Sequence, residues 1–172
     1  HSQEILNGDA GDDTIFGDGA RIDFTPVWPV PGNELSHGES APSMPNKVQT
    51  IDTDTGGVDV ISGGGDDDTV FGGFGGDTIS GNGGNDTLIG DNGEVLYDAS
   101  IYDDSPRVQQ IRTTDSDNAT GGSDTIFGNA GDDIVLGGVN NSSDVISGGS
   151  DNDILLGDNG ELIYDDAADP DL

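Results

Sequence analysis

Single aliphatic residues recur along this chain at intervals of nine. Ile61, Val70, Ile79 and Leu88 each stand two residues after an aspartate, at Asp59, Asp68, Asp77 and Asp86. The text around them reads GGGDDDTVF, GGFGGDTIS and GNGGNDTLI. A second run sets Asp124, Asp133, Asp144 and Asp153 before Ile126, Val135, Ile146 and Leu155. One interval there is eleven, because the stretch from Val139 to Ser143 carries two extra residues. A third, shorter run opens the chain, with Glu4 before Leu6 and Asp13 before Ile15. A repeat at fixed period sets the architecture before any single segment does. Each nonapeptide divides into a three-residue strand, such as Thr69-Val70-Phe71, and a six-residue turn, such as Gly63 to Asp68. Only the middle strand residue points inward, and glycine in the turn permits positive φ and close backbone approach.

These lines resemble the glycine-aspartate nonapeptide G-G-x-G-x-D-x-U-x, with U apolar, of the RTX (repeats-in-toxin) family. The resemblance covers about half of the chain in three blocks. It implies an all-β fold, a right-handed parallel β-roll in which two nonapeptides complete one coil. It also implies several Ca²⁺ ions, each held between neighbouring turns on one side of the roll. The metal-binding residues would be Asp13, Asp59, Asp68, Asp77, Asp86, Asp124, Asp133, Asp144 and Asp153. Neighbouring turns would pair Asp59 with Asp77, Asp68 with Asp86, Asp124 with Asp144 and Asp133 with Asp153. Calcium takes six to eight oxygens, and such turns offer carbonyls and a short carboxylate, whereas Mg²⁺ demands a tighter octahedron and should substitute poorly.

Composition changes the picture in one respect: it makes the metal necessary. The 172 residues carry 35 Asp and Glu against 4 Lys and Arg, for a formal charge of -31. Leu, Ile, Val and Phe together number 39, close to the level at which highly charged chains stay disordered. One inward aliphatic per nine residues contributes about 1.5–3 kcal/mol, against about 1–2 kcal/mol of backbone entropy for every ordered residue. There is no cysteine to staple the fold. The four basic residues, Arg21, Lys47, Arg107 and Arg112, all fall outside the nonapeptides. A solvated acidic surface built of ordinary Asx turns is the plainer reading, but solvation does not require a nine-residue phase. The charge excludes nucleic acid as a natural partner and argues against direct membrane insertion. No run in this sequence reads as long enough to span a membrane, and none reads as a signal peptide. The chain opens on His rather than Met, which reads as an excised piece of a longer protein.

Between the runs lie segments of another kind. GDGARIDF at 17–24, GDNGEVLYD at 90–98 and GDNGELIYD at 157–165 are related to one another. Phe24, Tyr97 and Tyr164 fall nine residues after Ile15, Leu88 and Leu155, so these segments read as terminal strands that close each block. Asp91, Glu94, Asp158 and Glu161 either complete a last metal site or are solvated. The predicted organisation is a truncated block at 1–24, a Pro-rich excursion at 25–47 and a block with closing strand at 48–98. An excursion and return at 99–118, a block with closing strand at 119–165 and an acidic tail at 166–172 follow. The returns VQTIDTD at 48–54 and IRTTDSD at 111–117 correspond, which gives a module of roughly 65–70 residues. One outer face of the last block reads Ile134, Leu136, Ile154 and Leu156, and an apolar stripe of that kind should be covered. The equivalent residues of the middle block are Thr69, Phe71, Thr87 and Ile89, and the opposite face there reads Val60, Ser62, Thr78 and Ser80.

Enzymatic readings are weak. His37 reads as a loop histidine, no H-E-x-x-H occurs, and carboxylate pairs that mimic a glycosidase dyad are already explained by the repeat. Trp28 reads as an anchor that packs an excursion onto the roll. The predicted function is a non-catalytic calcium-binding module that folds on binding Ca²⁺ outside the cell. It would belong to a large secreted or surface RTX protein, an adhesin or toxin, exported by type I secretion from a Gram-negative bacterium. The alternative is a calcium-binding accessory region of a secreted enzyme whose catalytic domain lies elsewhere. Glycan or ice binding is a third reading, and the turns lack the regular outward Thr array that ice would favour. Neighbouring modules of the same parent chain are further candidate partners.

Overall fold

The computed structural model describes residues 3–24, 45–51, 54–98, 107–115, 121–139 and 143–164. Trp28, His37, Asp103, Asp169 and the tail at 166–172 lie outside them. The described residues form strands and turns, with no helix among them.

Sheet A is parallel and joins β1 (Ile5–Ala10), β5 (Val60–Gly65), β7 (Thr78–Gly83), β11 (Thr125–Ala130) and β13 (Val145–Ser150) in that order. Sheet B, also parallel, joins β2 (Thr14–Phe16), β6 (Thr69–Phe71), β8 (Thr87–Ile89), β12 (Ile134–Leu136) and β14 (Ile154–Leu156). The chain alternates between the two sheets, so each pair of nonapeptides makes one coil of a parallel β-roll. The inward aliphatics meet between the sheets. Ile61, Val70, Ile79, Leu88, Ile126 and Val135 are fully buried, with Leu6, Ile15 and Ile146 packed against them. Leu155 has the same phase but is 46% exposed, because its strand is the last of sheet B and has no further coil beside it.

The three sequence blocks are not separate coils. β1 pairs with β5, and β7 with β11, in unbroken register: Leu6 lies beside Ile61, and Ile79 beside Ile126. β8 likewise pairs with β12. The expectation that the segments after each run close their blocks is therefore corrected. Those segments leave the roll and build a third, antiparallel sheet C. Its strands are β3 (Ala20–Phe24), β4 (Pro45–Thr50), β9 (Gly93–Asp98), β10 (Arg107–Thr113) and β15 (Glu161–Ile163), in the order β15-β10-β9-β4-β3. A return strand pairs antiparallel with the departing one, β3 with β4 and β9 with β10, so each excursion is a hairpin inserted into the roll.

Sheet C covers the outer face of sheet B. A second core forms between them from Val48, Phe71, Ile89, Val95, Ile111 and Leu136, all buried. Phe16 and Phe71 stack there with ring centroids 4.8 Å apart. The expected cover over the last block is this sheet. Leu136 is buried, and Ile134 and Leu156 pack against the core, while Ile154 at the roll's edge is 47% exposed. Tyr97 does not continue the inward phase of the roll but packs against the B–C core, and Tyr164 is exposed. Each buried side chain of this second core adds about 1.5–3 kcal/mol of stabilisation, which thickens a fold that the nonapeptides alone would leave thin.

Candidate metal centre

The turns of the roll form two rows along its opposite edges. One row joins sheet B to the next sheet A strand and carries Asp59, Asp77, Asp124 and Asp144. The other joins sheet A to the next sheet B strand and carries Asp13, Asp68, Asp86, Asp133 and Asp153. In both rows one carboxylate oxygen accepts the backbone N–H of the preceding coil. Asp59, Asp77 and Asp124 donate their N–H to Oδ1 of Asp77, Asp124 and Asp144 at 2.7, 2.7 and 3.0 Å. Asp13, Asp68, Asp86 and Asp133 donate to Asp68, Asp86, Asp133 and Asp153 at 2.9, 2.9, 2.9 and 3.1 Å. The four pairs implied by the resemblance are neighbours on this ladder. The ladder also runs through junctions that treating the blocks separately did not give: Asp13 to Asp68, Asp77 to Asp124 and Asp86 to Asp133.

The other oxygen of these carboxylates is the chemically informative one. Oδ2 of Asp13, Asp59, Asp68, Asp77, Asp86, Asp124 and Asp133 is buried and has no hydrogen-bond partner among the described residues. An unsatisfied buried polar group costs roughly 1–3 kcal/mol, and more when charged. A row of them in phase requires a shared explanation. Glycine shows where they point. A Cβ on Gly81 would collide with Asp86 Oδ2 and stand 3.0 Å from the carbonyl oxygen of Gly128 in the next coil. Gly63, Gly72, Gly90 and Gly128 repeat this geometry with Asp68, Asp77, Asp124 and Asp133, each beside the carbonyl of the next coil. The glycine thus leaves open a space lined by a carboxylate oxygen from one turn and a carbonyl oxygen from another. Left-handed backbone at Asn82 (φ 80°) and Gly84 (φ 125°) shapes the same turn, and Asn and Gly are the residues that tolerate it.

Electrostatics leads to the same place. Burial pushes the Asp77 carboxyl up to about 8 and that of Asp124 to about 7, with the neighbouring backbone N–H bond only partly opposing it. Asp86 rises to about 6, again through burial. Asp68 and Asp133 move the same way for the same reason. Three of the four basic residues are engaged away from these turns: Lys47 and Arg112 pair with Glu94, and Arg21 with Asp23. A hard divalent ion would reverse these shifts, and the donors are oxygen throughout, which suits calcium.

A family model, the RTX calcium-binding nonapeptide repeat (4 copies), matches residues 3–20, 53–79, 63–94, 118–143 and 140–161, more than half of the chain. The chain belongs to the RTX calcium-binding repeat family. No curated protein and no solved structure matches it. The RTX matches leave out most of the sheet C hairpins, which are the part of this fold that the nonapeptide does not specify.

Acidic residues outside the predicted ligand set also gather at the roll. Glu4, Asp18 and Asp59 bring carboxylate oxygens within 4.8 Å of one another. Glu4 occupies the aspartate phase, and its N–H bonds Asp59 Oδ1 at 2.8 Å. Asp18 and Asp91 share a Gly-Asp dipeptide, the start of the related segments at 17–24 and 90–98. Glu94 is not solvated. It is buried between Lys47 and Arg112, whose hydrogen bonds outweigh the desolvation that would raise its pKa and hold its carboxyl below the usual range. Asp158 and Glu161 are exposed, and Glu161 accepts a hydrogen bond from Gln110. A second, exposed ladder explains the paired acidic residues of one row. Asn85 N–H bonds Asp67 Oδ1 at 2.7 Å, Asp132 N–H bonds Asn85 Oδ1 at 2.9 Å, and Asn152 N–H bonds Asp132 Oδ1 at 2.8 Å.

Proposed function

We propose that this chain is a non-catalytic, calcium-responsive module that folds when Ca²⁺ fills the turns of its roll. The observation that carries this is the set of buried carboxylate oxygens without partners, in register on both edges. The metal residues are Asp13, Asp59, Asp68, Asp77, Asp86, Asp124, Asp133, Asp144 and Asp153. A ligand that binds only the folded state supplies folding free energy, so calcium concentration sets whether the module is folded. Such a module suits a large secreted or surface protein, an adhesin or toxin, that crosses the envelope unfolded by type I secretion and folds outside.

The test is a variant series read by the calcium midpoint for folding. Asp68→Ala and Asp133→Ala are expected to raise that midpoint by at least about twofold, because each deletes a carboxylate from a site that binds only the folded state. Asp103→Ala and Asp169→Ala, outside the repeat phase, remove the same charge and are expected to leave it nearly unchanged. Equal midpoints across the four variants would refute the assigned ligands.

A further inference from the structure

Gly-Asp dipeptides stand where the chain leaves the roll for sheet C, two of them before a hairpin. Gly17-Asp18 precedes the β3–β4 hairpin, and Gly90-Asp91 precedes the β9–β10 hairpin. Two glycine pairs, Gly56-Gly57 and Gly121-Gly122, stand where it returns. Asp91 lies outside the nonapeptide phase, five residues after Asp86, yet it is 0% exposed. Its Oδ1 accepts the N–H of Gly122 on the returning chain at 3.0 Å. Its Oδ2 is buried and accepts no hydrogen bond from any described residue.

The surroundings of that oxygen match those of the nonapeptide aspartates. A Cβ on Gly121 would collide with both Asp91 Oδ2 and the carbonyl oxygen of Val139, and a Cβ on Gly138 would collide with Asp91 Oδ2 again. Two glycines on two different segments therefore hold open one space, lined by the Asp91 carboxylate from a third segment and by the carbonyl of Val139, the residue after Gly138. Asp124, Asp144 and Asp115 are the neighbouring charges that act on Asp91, and all are negative. The arrangement recurs at the other hairpin: a Cβ on Gly56 would collide with Asp18 Oδ2 and the carbonyl oxygen of Phe74. Asp18 Oδ2 there accepts the Phe74 N–H at 2.9 Å. Asp158 has the same Gly-Asp-Asn-Gly-Glu sequence context as Asp91 but is exposed.

We infer that Asp91 and the Val139 carbonyl hold a further calcium ion, distinct from those of the nonapeptide phase, which pins the base of the β9–β10 hairpin to the roll. It joins the departing strand, the returning strand and the next coil at one point. Calcium is the fitting ion because the lining donors are carboxylate and carbonyl oxygens and the neighbouring charges are negative. The consequence is that docking of sheet C depends on calcium as the roll does, through a site the repeat does not encode. This inference rests on the reading of the roll as a calcium-folded module.

The experiment counts calcium ions on the whole chain by equilibrium dialysis, with hydrogen exchange read over β9 and β10. Asn at position 91 keeps an oxygen for the Gly122 N–H and removes only the charge. Asp91→Asn is expected to bind one ion fewer, to need more calcium to fold, and to lose amide protection in β9 and β10 ahead of sheet A. Asp158→Asn is expected to match the wild type in all three. An unchanged ion count for Asp91→Asn, or a lower calcium requirement as expected for relief of an uncompensated buried charge, would overturn the inference. If Asp91→Asn does not fold, Asp91→Ser carries the test at the same position: one ion fewer supports the site and an unchanged count overturns it. Failure of the wild type to bind any calcium is a separate result, and it would overturn the module reading itself.

Discussion

Alanine at Gly81 is expected to abolish calcium-dependent folding under conditions where alanine at Gly83 leaves it intact. The two positions lie at the end of β7, two residues apart, and neither has a left-handed φ. Both substitutions restrict the unfolded chain equally, a stabilising effect of about 0.4–1 kcal/mol where the native backbone accepts alanine. They differ in what the new methyl meets. At Gly83 nothing lies within 4 Å, whereas at Gly81 the methyl collides with Asp86 Oδ2 and sits 3.0 Å from the Gly128 carbonyl oxygen. It would occupy the space in which we place the ion, so the loss includes both strain and binding. Strain alone, with ordinary overpacking costs of about 1–3 kcal/mol, would lower stability equally with and without calcium. Loss of the site makes the defect grow with calcium concentration, because the wild type gains and the variant does not. Calcium titrations of the two variants, followed by far-UV circular dichroism, separate these outcomes. Matching titrations for Gly81→Ala and Gly83→Ala would contradict the position assigned to the ion.

The second large effect is on pH. In the folded roll, burial raises Asp77 from the ordinary 3.8 to about 8 and Asp124 to about 7. Between those values and about pH 4 the folded state holds protons that the unfolded state has released, so stability falls as pH rises. For the calcium-free chain the contribution is fully present below about pH 4 and is lost as pH rises through 7 to 8. A chelated sample should therefore gain β signal on acidification from pH 8 towards pH 4.5, helped by the fall in net charge. Calcium inverts the dependence, because it binds the carboxylate and not the acid. The calcium midpoint should be higher at pH 5.5 than at pH 7.5, with protons released on binding. A chelated chain whose spectrum ignores pH, together with equal midpoints at the two pH values, would show that these carboxylates are not buried as described.

Much of this fold was legible because one residue type marks each function of the repeat. An aliphatic every nine residues marks the core of each covered coil, and Ile61, Val70, Ile79 and Leu88 are all fully buried between sheets A and B. The aspartate two residues earlier falls in the turn, where its Oδ1 meets the N–H of the coil before it. What was not legible is how the blocks join. Asp77 and Asp124 are 47 residues apart and form one rung with the same 2.7 Å bond that joins Asp59 to Asp77 across 18. A nine-residue period carries no information about inserted hairpins. Sheet C was misread for a related reason. Tyr97 continues the numerical phase after Leu88, but Gly93 and Glu94 begin a strand whose partners, β4 and β10, run antiparallel to it. Glu94 was ambiguous in the sequence because its partners Lys47 and Arg112 lie on those two distant strands. The covered stripe was legible in part. The run Ile134, Leu136, Ile154 and Leu156 pointed to a cover, which reaches all but Ile154, though not to a cover of five strands drawn from the whole chain.

The most direct measurement of the central claim is a calcium titration of the whole chain at neutral pH, starting from a chelated sample and followed by far-UV circular dichroism, with magnesium in parallel. The account predicts a chain without β signal in chelator, a cooperative gain of β structure as calcium is added, and little response to magnesium at equal concentration. A spectrum that is already β-rich in chelator, and unchanged by calcium, would contradict it.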